Sequence, residues 1–506
     1  MRRMLIRAIA AMALLLAGSL AAAQAPAITG IAWEDWSDRA FVRASAEKRL
    51  VLLDLGAVWC HWCHVMEETT YRDPGVVALI RRHYVPVRVD QDSRPDLSNR
   101  YEDYGWPATI IFDSDGKELV KFAGYIPPGR MRALLEAVVA DPTPGPSVRP
   151  EAPMSPPSGG SLSPGLRKEL VALLLQRYDR EHGGWGFSKK YLDWDSIEYC
   201  LLLARGGDRD AERMAKETLA RARKLIDPVW GGLYQYSDRG DWDHPHFEKL
   251  LQFQAEGMRA YAQAYALWRD PEDLKAARDI LRFVRVFLRS PDGAYYVSQD
   301  ADLVAGEHSG EYYALDDAGR RRRGIPRVDA HLYARENAWM AHALVTLHAV
   351  NGDDETLREA LVSARWILAN RALPGGGFRH DASDPAGPYL GDTVAAGRAF
   401  LSLYAATGDR AWLARAAEAA DFMGRPFFID GTPGLVSAVS RGRFAPPRPQ
   451  RDENVMAARF ANLLFHYTGN PAHRRLAIRA MEFLAVPEVA QKFTTASVLL
   501  VDREIS

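Results

Sequence analysis

Trp59-Cys60-His61-Trp62-Cys63-His64 lies directly behind Val51-Leu52-Leu53-Asp54-Leu55 and is followed by Val65-Met66-Glu67-Glu68-Thr69. The apolar run reads as a buried strand and the residues after Cys63 as the opening of a helix, so Cys60 falls at a strand-to-helix turn. A sulfur at that position faces unpaired backbone N–H groups and the positive end of the helix dipole, which favours thiolate over thiol. Cys60 is therefore expected to be the accessible, low-pKa nucleophile. Cys63, one helical turn along, is placed to attack a mixed disulfide formed on Cys60 and release the partner. His61 and His64, when protonated, favour the thiolate further.

The surrounding sequence makes this more than a bare C-x-x-C. Asp54 sits six residues before Cys60, where a buried strand carboxylate beneath the site can exchange a proton with the thiol pair. Gly105-Trp106-Pro107 precedes the apolar run Ile110-Ile111-Phe112, and thioredoxin-like domains carry a cis proline at the entry to that strand, beside the reactive sulfurs. Trp59, Trp62 and Trp106 flank the pair and are expected to contact its substrate. The order of elements also fits: strand 50–56, helix 63–82, strand 84–90, strand 108–113, a turn at Asp113-Ser114-Asp115-Gly116, strand 117–123 and helix 128–140. Two rival readings exist. Cys60 to His64 satisfies the c-type haem attachment pattern, but haem leaves the strand, Asp54 and Trp106-Pro107 unexplained. Zinc on Cys60, Cys63 and the histidines lacks the second ligand pair that structural zinc uses. No cofactor and no metal is therefore expected.

With 506 residues, 47% hydrophobic and 25% charged at a net charge of −1, the chain has room for more than one core and lacks the basic excess of a general nucleic-acid binder. Arg320-Arg321-Arg322-Arg323, beside Asp316-Asp317, is expected to be a solvated loop. Arg2, Arg3 and Arg7 precede an apolar stretch from Ala8 to Ala23, which reads as a signal peptide over 1–23 and predicts a periplasmic or secreted protein without further membrane segments. Cys200, within Tyr199-Cys200-Leu201-Leu202-Leu203, reads as a buried free thiol. Residues 24–140 form the first domain, and the Pro-, Ser- and Gly-rich stretch 141–164 reads as a linker.

From 165 to 506 helical periodicity dominates, over 165–180, 193–206, 208–226, 247–268, 271–289, 329–350, 354–371, 389–407, 409–424, 452–469 and 471–485. A Gly-aromatic turn recurs at Gly183-Gly184-Trp185, Gly231-Gly232-Leu233-Tyr234, Gly293-Ala294-Tyr295-Tyr296 and Gly375-Gly376-Gly377-Phe378. Self-similarity of this kind signals repeated helical hairpins, and eleven or twelve helices suggest an all-α (α/α)6 toroid around a central funnel.

The block Trp59 to Glu67, with Asp90, Pro107 and His246-Phe247-Glu248-Lys249-Leu250, resembles the spermatogenesis-associated protein 20 family and its bacterial YyaL-like members. That resemblance implies a thioredoxin-like domain fused to a six-hairpin, glycosidase-like toroid related to sugar epimerases. Pro245 to Leu250 is similar to the family's P-H-F-E-K-M and Asp300-Ala301-Asp302 to its D-A-D, while Asp329-Ala330-His331, Glu336-Asn337-Ala338 and Asp392-Thr393 keep single positions of other motifs. His246, Glu248, Asp300, Asp302, Asp329, Asn337 and Asp392 are expected to converge on the funnel. There, with Trp185, Tyr234, Trp242 and Tyr296, they would suit a carbohydrate ligand. The sequence thus predicts an exported thiol–disulfide protein exchanging with a partner protein or small thiol, its toroid a binding module. The alternatives are a carbohydrate-active enzyme with its chemistry in the toroid, and a non-catalytic scaffold.

Overall fold

Strand β1 (Leu50–Gly56) is central because its side chains serve two cores at once. The computed structural model describes residues 30–148, 160–439, 442–492 and 494–506; the signal segment 1–23 and the middle of the linker lie outside the described residues. Val51, Leu53 and Leu55 pack towards Phe41 and Ala44 of α1 (Asp38–Glu47), while Leu52 packs with Met66, Ile80 and Leu135 on the opposite face. The period of two sends alternate residues to opposite faces, and a strand covered on both reads as a continuous apolar run. β1 pairs in parallel with β2 (Tyr84–Asp90) and antiparallel with β3 (Ala108–Phe112), which pairs antiparallel with β4 (Glu118–Ala123). The order β2-β1-β3-β4 and α5 (Pro128–Ala140) complete a thioredoxin-like layer arrangement.

The single helix expected over 63–82 is two helices, α2 (His61–Thr69) and α3 (Pro74–His83). Proline disfavours helical conformation in the residue before it. Asp73 is accordingly extended, and its carboxylate accepts the Val76 N–H at 3.0 Å to start the new helix. Helices α1 and α4 (Pro95–Tyr101), absent from the sequence reading, are short and polar on one side.

Eleven long helices of the second domain fall where periodicity places them: α6 (Pro164–Arg177), α7 (Trp194–Arg205), α8 (Arg209–Ala222), α9 (Leu251–Trp268), α10 (Pro271–Phe283), α11 (Ala334–Asn351), α12 (Asp354–Asn370), α13 (Leu390–Thr407), α14 (Arg410–Met423), α15 (Arg451–Thr468) and α16 (Pro471–Leu484). The twelfth, α17 (Thr495–Ile505), is absent from the sequence reading; it is buried continuously from Thr495 to Asp502. Inner helices α7, α9, α11, α13, α15 and α17 neighbour one another in a closed ring, and α17 meets α7 to complete it. Helix α6, first in the chain order of this domain, is the outer partner of α17, the last. Arg167 of α6 fastens that join through Asp502, Nε to Oδ2 at 2.5 Å.

Each Gly-aromatic turn closes an outer-to-inner connection with a small antiparallel bridge: Tyr178 with Trp185, Ile226 with Leu233, Arg289 with Tyr295 and Ala372 with Phe378. Gly231 shows why glycine recurs: its φ is +75° and a Cβ there would collide with the Asp279 carbonyl. Trp185, Tyr234 and Trp242, expected to stack on a sugar, are buried in the toroid core instead. The tetra-arginine segment is likewise not a solvated loop: it lies in a short helix, Asp317–Arg323, and Arg320 is fully buried against Asp227 at 2.6 Å. Cys200 is a buried free thiol, its pKa pushed up to about 12 by burial.

Candidate active site at the domain junction

Cys60 is the N-cap of α2; its sulfur accepts the Cys63 N–H at 3.2 Å, and the two cysteines form a disulfide. The Trp106–Pro107 bond is cis, as the strand-entry motif predicts, and Trp106 packs against the apolar cluster of Trp59, Cys60 and Leu250. Cys60 is not the open sulfur that its position suggests. Leu250 and Phe253 of the toroid close over it, leaving it 4% exposed while Cys63 is partly exposed. Trp62 points outward, 41% exposed, and stacks on Tyr125.

In the toroid, β5 (Tyr236–Ser237) pairs with β6 (Pro245–His246), and the rest of the site comes through a three-stranded ribbon: β7 (Lys249–Leu250), β8 (Ser298–Gln299) and β9 (Val328–Asp329). Antiparallel register pairs Lys249 with Gln299, which brings Glu248 and Asp300 to the same end. Lys249 turns into the core, where it pairs with Asp227 at 2.7 Å. Glu248 turns to α2, where its Oε1 accepts the His61 N–H at 3.4 Å. Asp302 lies between the two histidines of the motif, 2.7 Å from His61 Nδ1 and 3.0 Å from His64 Nδ1.

The charges follow from these contacts. His64 also faces the Val58 carbonyl with Nε2 at 2.9 Å, so acceptors occupy both ring nitrogens and the doubly protonated ring satisfies both. Burial opposes that charge, but Asp302 and Asp300 outweigh it and raise the His64 pKa. Burial would raise Asp302 as well; its hydrogen bonds from His61 and His64 hold it at about 2. Asp300 is pushed to about 6 by burial, and Glu248 to about 7. Among the described residues, His64, Asp300 and Asp302 group candidate metal-ligand atoms within 4.8 Å, but these atoms are engaged with one another, with His61 and with Val58, making the group a charge network.

Asp54 occupies the face of β1 that carries Gly56, over which the Cys63 sulfur sits. Burial raises its pKa, yet its Oδ2 is held by Arg88 Nε at 2.8 Å. Trp59 Nε1 donates to Asp92 Oδ2 at 2.7 Å, and the Asp92 carbonyl accepts from His380 Nε2 of the toroid at 2.7 Å. His380 Nδ1 in turn meets Asp392 Oδ1 at 2.9 Å. Further out, Phe444 stacks on Phe41 with centroids 4.1 Å apart, and Gln450 binds Glu102 at 2.6 Å.

The expected convergence of seven toroid residues on the funnel is not what forms. Glu248, Asp300 and Asp302 converge on the cysteine motif. His246 pairs with Asp238 at 2.6 Å and stacks on Tyr236; Asp329 accepts from its neighbour His331. Asn337 is fully buried and binds the Tyr295 and Tyr333 backbone, while Asp392 accepts the Arg335 N–H and orients His380. The funnel itself, a cavity of about 770 Å³, is lined by Asp195, Glu198, Arg259, Arg398, Glu453 and Arg459 among others, and by Gln91, Asp92 and Glu102 of the first domain over its mouth. Burial pushes Asp195 and Glu453 to about 8. A signal for these existed: Asp195, Glu336 and Glu453 occupy the second or third position of inner helices α7, α11 and α15, a register that Asp392 of α13 shares.

These features define a thioredoxin-like domain, with its C-x-x-C pair as a disulfide, docked on a six-hairpin toroid. Residues 20–139 match the family Thioredox_DsbH, described as "Protein of unknown function, DUF255". Along most of its length the chain is similar to spermatogenesis-associated protein 20 of Homo sapiens, 23% identical over 83% of this chain and 71% of that protein, which bears out the resemblance read from the motifs. The Rattus norvegicus protein of the same name is 28% identical over 53% of this chain, the match spanning 38% of its own length. The redox segment alone is 34% identical over 84 residues to thiol:disulfide interchange protein DsbD 2 of Pseudomonas aeruginosa, covering 16% of this chain and 14% of that protein. Among solved structures, a D-mannose isomerase (TM-score 0.52, 12% identity, 69% of this chain and 99% of that one) and a sugar epimerase from a ruminal bacterium (0.51, 14%, 63% and 85%) share the toroid fold.

Proposed function

We propose that the protein is an exported thiol–disulfide oxidoreductase whose redox pair works inside a junction formed with its toroid, the toroid selecting what reaches the pair. The observation that carries this reading is the Cys60–Cys63 disulfide at the N-terminus of α2 beside cis-Pro107. A thiolate on Cys60 gains the Cys63 N–H and the helix dipole, which makes it a good leaving group and a stable nucleophile near neutral pH. The likeness of the redox segment to a thiol:disulfide interchange protein supports the same chemistry. Exchange partners are a dithiol protein or a small thiol. Export is supported by the basic and apolar N-terminal segment and is tested by cell fractionation. For the redox reading, the oxidised protein is equilibrated with dithiothreitol pairs of set ratio and its free thiols counted by mass after alkylation. A two-electron transition absent from Cys60→Ser supports the function, and a pair that stays oxidised or inert at every ratio refutes it.

A second reading rests on the funnel, where Asp195 and Glu453, both shifted to about 8, stand with Trp194 and Trp339 in a cavity of about 770 Å³. Carboxylic acids kept protonated near neutrality beside aromatic faces suit sugar binding and acid catalysis. Epimerase or glycosidase turnover that survives Cys60→Ser and disappears in Asp195→Asn would assign the chemistry to the toroid.

A further inference from the structure

With Cys60 only 4% exposed beneath Leu250 and Phe253, a proton entering or leaving its sulfur passes through a neighbouring buried group more readily than through bulk water. Asp54 is poorly placed for that exchange, because Arg88 holds its carboxylate and is itself shared with Glu67. Glu248 is differently situated. It is 3% exposed, it reaches across the domain junction to the first N–H of α2, and its Oε2 has no hydrogen-bond partner among the described residues. Carboxylate and sulfur thus share one helix N-terminus: Glu248 accepts from His61 N and Cys60 from Cys63 N. Two anions at the same helix end repel, so a charge arriving on one favours a proton on the other.

We propose that Glu248 of the toroid is the acid–base group that exchanges the proton of Cys60, so that the redox pair of one domain takes its proton acceptor from the other. This deepens the thiol–disulfide function and rests on it. The groups facing Glu248 are His61 of α2, Asp302 and Asp300 beyond β8, and Tyr236 of β5 (Tyr236–Ser237). Asp302 is committed to two histidines and Asp300 lies beside His64, which leaves Glu248 as the carboxyl with an unused oxygen at the sulfur's end of α2. Burial holds its pKa at about 7, where it gives and takes protons with equal ease in neutral solution.

In the reduced protein the Cys60 S–H proton passes to the Glu248 carboxylate, and the Cys60 thiolate attacks one sulfur of a substrate disulfide. A Cys60–substrate S–S bond forms, the substrate S–S bond breaks, and the departing thiolate takes the proton back from Glu248. Cys63 then loses its proton to water and attacks Cys60. The Cys60–Cys63 bond forms and the second substrate sulfur leaves as a thiolate that water protonates. Two electrons have moved from the cysteine pair to the substrate disulfide, so no other oxidant is required.

The test is the rate of reaction of the fully reduced full-length protein with a small disulfide, oxidised glutathione, from pH 5 to 10, for wild type, Glu248→Gln and Glu248→Asp. The expected result is an inflection near pH 7 in wild type, its loss in Glu248→Gln with a rate about a hundredfold lower at pH 7, and its return, shifted, in Glu248→Asp. Redox-difference infrared spectra of the unaltered protein provide a readout independent of folding: a carboxylic C=O band should change between oxidised and reduced states. Glu248→Gln retaining the wild-type profile, an unchanged infrared band, or loss of the inflection in Asp54→Asn alone each overturns the proposal. A wild-type protein that does not react at any pH overturns the redox function itself.

Discussion

His380 joins the two domains through a charge that depends on pH. Burial disfavours its protonated form, but Asp392 raises the pKa to about 9, and the ring donates to the Asp92 carbonyl. A histidine whose folded pKa exceeds its unfolded value of about 6.5 contributes stability that is complete below about 6.5 and disappears as pH rises through the folded value. His380→Gln should therefore cost about 3 kcal/mol at pH 6 and progressively less towards pH 9 and above, read from denaturant midpoints of the two proteins across that window. Asp302 works in the opposite direction. Its carboxyl is held at about 2, so its contribution is present above about 4 and lost as pH falls towards 2. In Asp302→Asn, NMR titration should show the His64 pKa moved down, since the largest favourable contact opposing its burial is gone. An unmoved His64 titration would contradict the charge network described here.

The elements give a sharper test of what holds the ring. Gly231→Ala places a side chain in the left-handed region and against the Asp279 carbonyl, so a loss of more than ~1 kcal/mol is expected from the melting temperature, against no loss at exposed Gly129, which has no left-handed backbone and nothing to crowd a Cβ. Leu250→Ala should uncover Cys60: after reduction, alkylation of Cys60 should rise at least several-fold over wild type while Cys63 changes little, measured by peptide mass spectrometry. Much of this architecture is legible in the sequence. Strand-like Val51 to Leu55, the C-x-x-C turn, Trp106-Pro107 and eleven helices are local signals, each carried by a few adjacent residues. Helix α17 was not legible, because a short apolar run such as Val498-Leu499-Leu500-Val501 reads equally as a buried strand or as part of a buried helix. Nor was the site: Glu248, Asp300 and Asp302 are each legible as functional candidates, but which cavity they serve depends on how two separately folded surfaces meet. Asp195 and Glu453 were hidden for a related reason, since a lone acid near a helix start looks like a cap until the hairpins are aligned.

At the scale of the molecule, the junction couples two cores. Phe444 on Phe41, Gln450 on Glu102 and Lys492 on Asp103 ring the site beyond the Asp302 contacts. Near pH 7 the domains should melt in one calorimetric transition, and as pH falls towards 2 and Asp302 gains its proton the transition should split in two. A single transition throughout would mean that the apolar contacts alone couple the domains.

The join between α6 and α17 has a consequence in time. The ring lacks its last inner member until the final segment of the toroid has been synthesised, whereas the redox domain has all of its strands long before. Domains of a growing chain fold from the N-terminal end as they emerge. For the interval in which several hundred residues are still being added, Cys60 and Cys63 stand uncovered, open to whatever thiol or oxidant is nearby. Closing the ring then shuts that window, and the oxidation state in which the pair is caught is the one the finished protein begins with.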